Sequence, residues 1–203
     1  MVMPRGNEEA FRKAINQGHS AAWESRWREA VDHYARALEE FPDNPPALNS
    51  LALAHMELGN LDRALELYRR AAQVAPEDPL PAEKLALLHR QLGQMSEAAQ
   101  AYLQAAELYL KVRDADKAIN NWVRAISLEP ENTDSRLRLA LVYEKLGRTS
   151  QAISEFIAVA ALQQQLVVDL TFPQLQDRDS QLRSSPRRAG PERGYGLLCC
   201  LSR

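Results

Sequence analysis

The histidines are where chemistry would first be sought. His55 and His89 stand 34 residues apart, and imidazole is both a general base near neutral pH and the commonest metal ligand. A metal shell also needs carboxylate or thiolate company at ligand spacing, and neither histidine has it. They read as side chains packed between helices, while the isolated His19 and His33 read as surface residues. Trp23 and Trp27, four apart, could stack a planar ligand, but apolar packing across a helical turn is the simpler account. Glu8-Glu9 and Glu39-Glu40 fall near helix ends. Carboxylate pairs that cleave glycosides face one another across a cleft, which adjacency does not provide. No phosphate-binding GxxxxGK[ST], dinucleotide GxGxxG, HExxH, GxSxG or paired CxxC occurs. Cys199 and Cys200 are adjacent and can neither staple a fold nor hold zinc unaided. The residues point to no enzyme, no metal and no cofactor.

The composition agrees with a packed, non-catalytic chain. Of 203 residues, 45% are hydrophobic and 26% charged, enough for a core and too apolar for wholesale disorder. A formal charge of -2 supplies no field for nucleic acid or an anionic membrane. Mean hydropathy is -0.42, and apolar runs fall well short of the roughly 20 residues of a membrane span. The first residues lack an apolar stretch and carry acids, so a cytoplasmic location is expected.

What must position any binding surface is a repeat. Ala30, Ala64 and Ala98 are each 34 residues apart, as are Ala118 and Ala152. An aromatic follows four residues later at Tyr34, Tyr68, Tyr102, Trp122 and Phe156. A second alanine comes three further on at Ala37, Ala71, Ala105 and Ala125, with Val159 the departure. These positions share one helical face, two thin side chains flanking a thick one, which suits close helix contact. A second helix precedes each, ending at Gly59, Gly93 or Gly147, where glycine takes the left-handed conformation without Cβ strain. Pro42, Pro76 and Pro130 close three of the units.

The pattern resembles the tetratricopeptide repeat family, whose 34-residue unit carries W-x-x-L-G-x-x-Y, then A-x-x-x-F, then P. Leu51, Leu85 and Leu139 take the leucine position, Gly18 the glycine position, Tyr109 and Tyr143 the tyrosine position, with His55 and His89 substituting. The resemblance implies an all-α, right-handed superhelical solenoid of antiparallel helix pairs, about nine helices in all. A lead-in of 1-10 precedes an array over 11-166, with units 11-44, 45-78, 79-112 overlapping 99-132, and 133-166. The overlap arises because Ala98 and Ala118 are only 20 apart. The segment MSEAAQAYLQAAELYLKV fits both as the second helix of one unit and the first of the next. Either the solenoid tolerates a deleted helix, or its direction changes locally.

In the family, inward positions of the first helices line a concave groove that takes peptides or protein segments. Carried over, they give Arg12 in the first unit, Asn49, Leu53 and Met56 in the second, and Glu83, Leu87 and Arg90 in the third. Leu103 and Glu107 follow in the fourth, then Asp134, Leu137 and Leu141 in the last. The leucines and Met56 suggest an apolar floor, with Asn49 and Arg90 placed to hold a backbone or carboxylate. The positions at which some family members clamp a chaperone C-terminus hold Ile15, His19, Ser50, Leu80 and Lys84, so that specificity is not expected.

The last unit keeps an apolar set, Ile153, Ala160 and Leu162, which inner units turn toward a following helix. Self-association, the LVVDLTF segment, or further repeats of a longer chain would cover it. Beyond residue 166 lie six of the basic and four of the acidic residues, with Gly, Pro and Ser scattered among them, and 167-203 reads as a disordered tail. The functional expectation is a non-catalytic scaffold or adaptor for a protein or peptide. The alternative is a regulatory module or fragment of a larger multidomain enzyme or sensor.

Overall fold

A computed structural model describes residues 6-165. Its helices are α1 (Glu8–Trp23), α2 (Trp27–Glu40), α3 (Pro45–Glu57), α4 (Leu61–Val74), α5 (Pro79–Gln91), α6 (Met95–Lys111), α7 (Ala115–Leu128) and α8 (Thr133–Lys145). A further helical run occupies 149-160, here α9, and no strand occurs among the described residues. The chain divides into two compact units at Ala160 and Ala161. Of the second unit, residues 161-165 are described and are helical; the expected tail and the LVVDLTF segment lie outside the described residues.

Helix starts follow from short polar side chains that accept the orphan backbone N–H groups of a first turn. Asn7 accepts from the Ala10 amide, Asn44 from Ala47, Asp78 from Leu80 and Asn132 from Ser135. Pro45 and Pro79 follow two of these caps, where a missing N–H costs nothing. The second helices α2 and α4 have no such side-chain cap, since a tight turn delivers the chain to them.

The ends of the first helices are built alike. Asn60, Gln94 and Arg148 donate their amides to the carbonyls of His55, His89 and Tyr143 at 2.8 to 2.9 Å, around Gly59, Gly93 and Gly147 at φ of 71° to 77°. This is the left-handed closure of a helix expected of glycine. Two further turns make it without glycine: Ser25 at φ 57° and Arg113 at φ 64°, with Arg26 bonded to Ala21 and Asp114 to Tyr109. Arg113 ends α6. That helix begins at Gln94 without a side-chain cap, as second helices do, and ends as first helices do. It packs against both α5 and α7.

The core is the repeated face. Ala30, Ala64, Ala98, Ala118 and Ala152 are buried, as are Tyr34, Tyr68, Tyr102 and Trp122, and Phe156 packs against them half-covered. One cluster runs from α1 to α5 around Leu48, Leu51 and Tyr68, and another from α5 to α9 around Tyr109, Trp122 and Leu139. In the first unit Gly18 is buried so closely on the Tyr34 ring that a Cβ there would lie 2.5 Å from it.

Two expectations need correction. Trp23 does not pack across a turn with Trp27: it is 92% exposed, while Trp27 lies against the first cluster. The inward residues of α1 are Ala14, Gly18 and Ala21, and two residues beyond Ala21 a side chain has rotated about 200° to the opposite face. His33 is not a surface residue either; it is half-buried, its Nδ1 enclosed and without a partner among the described residues.

Candidate functional site

The proposed groove residues all stand on first helices, and their environments differ. Leu53, Leu87 and Leu141 share one repeat position on α3, α5 and α8. Leu53 and Leu87 are half-buried, Leu87 against Tyr102 and its neighbours. Leu137 and Leu141, one turn apart on α8, are 40% and 43% exposed. Met56 lies against the first cluster. Arg12 is exposed and paired with Glu8 at 2.6 Å, and Arg90 is exposed near the end of α5.

Two of the polar residues are engaged within the protein. Asn49 is half-buried and donates its Nδ2 to Asp78 Oδ2 at 3.3 Å, leaving Oδ1 enclosed without a partner. Glu83 accepts from the Tyr109 hydroxyl at 2.6 Å and from Arg124 at 3.2 Å, so it ties α5 to α6 and α7. Burial, reinforced by the Glu83 carboxylate, pushes the Tyr109 phenol well above its ordinary value and keeps it a donor. The histidine pair behaves as packing: His89 is buried with its Nδ1 2.6 Å from Gln94 Oε1. Burial, then Arg63, lowers the pKa of His55. Among the described residues no group of three or more His, Cys, Asp or Glu is placed to hold a metal ion.

The inward positions of α6 and α8 converge on one cavity of about 210 Å³. Leu103 and Glu107 of α6, Trp122 of α7, and Asp134, Ser135 and Arg138 of α8 line it. Arg138 is held by Glu107 at 2.7 Å and Asp134 at 2.8 Å, and the Glu107 bond, then Asp134, raises its already high pKa. The sequence reading placed Leu103, Glu107 and Asp134 on the groove. It did not find Trp122, which it counted as a core aromatic, or Arg138. The repeat register carries a signal for Arg138, since it sits one turn after Asp134.

The chain was compared with known proteins. Family models described as Tetratricopeptide repeat match residues 15–79 and 103–165, and a second such model matches 83–111. The chain belongs to the tetratricopeptide repeat family. Similar solved structures include a tetratricopeptide repeat domain of Arabidopsis OM64, 23% identical with a TM-score of 0.50 over 56% of this chain and 93% of that one. A MamA protein is 19% identical, with a TM-score of 0.45 over 78% and 94%. MamA 41-end from Desulfovibrio magneticus RS-1 is 16% identical, with a TM-score of 0.44 over 77% and 96%. The comparison with curated proteins found no match. The tetratricopeptide fold is that of a protein-interaction scaffold, and no described helix is long and apolar enough to cross a membrane.

Proposed function

We propose that this tetratricopeptide protein is a non-catalytic adaptor that takes a peptide or protein segment along the faces of α3, α5, α6 and α8. The observation that carries the reading is the pair Leu137 and Leu141. Two leucines in successive turns remain about two-fifths exposed at the inward register, in a chain that otherwise buries its repeated apolar positions. Leu53 and Leu87 extend the same register, and Arg90 offers a cation at its edge. Exposed leucines at helical spacing suit an apolar anchor, and the flanking charges suit a polar rim. Affinity capture with the wild-type chain, Leu53→Glu, Leu141→Glu and Arg90→Glu tests this. Loss of captured partners with unchanged helical content is expected; identical profiles for all four would overturn it.

A second reading is favoured by Ile153, which is 51% exposed where its counterpart Leu65 is buried. On this reading the chain is a module of a larger assembly, either a regulatory part of a multidomain protein or a self-associating copy, with Ile153, Ala160 and Leu162 at the contact. Sedimentation across a concentration series, for wild type and Ile153→Glu, tests the self-association arm: a monomer at every concentration would remove it.

A further inference from the structure

We propose that the cavity between α6, α7 and α8 reads a carboxamide side chain, glutamine or asparagine, on the segment that the groove takes. The inference rests on the groove reading above and adds a specificity pocket to it. The argument starts from Trp122. It is 1% exposed, it lines the cavity, and its indole Nε1 has no hydrogen-bond partner among the described residues. An indole nitrogen only donates, so an occupant that satisfies it must bring an acceptor.

The walls narrow the choice. Glu107 and Asp134 both bond Arg138, so two carboxylates face one guanidinium. The excess negative charge disfavours a carboxylate as the acceptor. A lysine or arginine would suit that charge and leave the indole unmet, because neither carries an acceptor. An aliphatic side chain would leave both unmet. A carboxamide answers both needs, its oxygen accepting from Nε1 and its NH₂ donating to the lone pairs that Arg138 leaves on Glu107 or Asp134. Leu103 supplies an apolar wall for the methylenes. At about 210 Å³ the space is below the roughly 300 Å³ at which small-molecule sites begin, and is of the order of one side chain.

The test is a randomised peptide display library selected in parallel on the full-length wild-type chain, Trp122→Phe and Leu141→Glu. Phenylalanine keeps most of the apolar volume and removes the donor. On wild type, glutamine or asparagine is expected at one fixed position of the enriched peptides. In a synthetic peptide of that sequence, Gln→Leu and Gln→Glu should each weaken binding by up to about tenfold, the worth of a hydrogen bond, and Trp122→Phe should erase the difference. Should Trp122→Phe fail to fold, the indole N–H resonance of wild-type Trp122, assigned by elimination with Trp23→Phe and Trp27→Phe, gives the answer. It should move on adding the glutamine peptide and stay put with the leucine one. Enriched peptides that lose binding to Leu141→Glu yet show no carboxamide position, or keep it on Trp122→Phe, overturn this inference and leave the groove reading standing. No enrichment on wild type overturns both.

Discussion

Ile119 and Ile153 occupy the same repeat position 34 residues apart, yet Ile119 is 5% exposed and Ile153 is 51% exposed. Ile119 lies in the cluster that Leu139 and Tyr143 of α8 complete. The side chains are identical, so the difference is the presence of a following helix. Ile119→Ala is expected to cost about 2 to 5 kcal/mol, the range for emptying a buried isoleucine site. Ile153→Ala should cost under about 1 kcal/mol, since half its surface is already in water. Urea titrations followed by circular dichroism compare the two.

Ser25 and Arg113 hold the left-handed conformation that Gly59, Gly93 and Gly147 hold at the same repeat position. A Cβ in that region costs roughly 1 to 2 kcal/mol. Ser25→Gly and Arg113→Gly are therefore expected to raise the thermal midpoint, each by up to about 1 kcal/mol of stability, and Gly93→Ala to lower it by a similar amount. Three melts with opposite signs at one register position would test the turn geometry directly.

Tyr109 and Glu83 form a bond that carries no function in the proposed groove and holds three helices together. Tyr109→Phe is expected to cost about 1.5 to 3 kcal/mol, the range for a hydrogen bond to a charged acceptor. A double-mutant cycle with Glu83→Gln should return a coupling of at least about 0.5 kcal/mol, as expected for groups in contact. Additive effects would refute the bond.

His55 titrates with a sign that can be worked out. Burial and Arg63 lower its folded-state pKa below the usual 6.5. The unfolded chain therefore binds the proton at higher pH, so this contribution to stability is complete above about 6.5 and is lost as the pH falls below it. Thermal midpoints should decline from about pH 7.5 to about 5.5. His55→Tyr, introducing the residue that stands at the equivalent Tyr109 and Tyr143, should flatten that decline.

Gly18 tests packing in the first unit. Ala52, Ala86, Ala106 and Ala140 stand at its repeat position, which would suggest that alanine is harmless there. The Tyr34 ring lies 2.5 Å from where a Cβ would be, so Gly18→Ala is expected to destabilise by about 1 to 3 kcal/mol through overpacking, despite the better helix propensity of alanine. A guanidinium titration measures it.

Much of this was legible in the residues. The Ala-aromatic-Ala face reports which side of each helix is covered, and a stacked array buries that side in every unit, so Ala64, Tyr68 and Ala71 were identified without coordinates. The turn at Gly59 and the cap at Asn44 are local, set by one residue's backbone freedom or reach. Ser25 and Arg113 were missed because they lack glycine, although counting along the repeat brings them to its position. Trp23 was misread because spacing to Trp27 was weighed above its place opposite Ala14, Gly18 and Ala21.

The sequence by itself determined the helix pairs, their inward faces and the register that lines up Leu53, Leu87 and Leu141, because a period records what each helix buries. The tertiary structure decided how much of each register position the neighbours cover. It left Leu137 and Ile153 exposed, turned Glu83 toward Tyr109, and left the Trp122 indole unpaired on a cavity. Those outcomes depend on side-chain volumes and hydrogen bonds from three helices at once, and no single repeat encodes the neighbour that it meets.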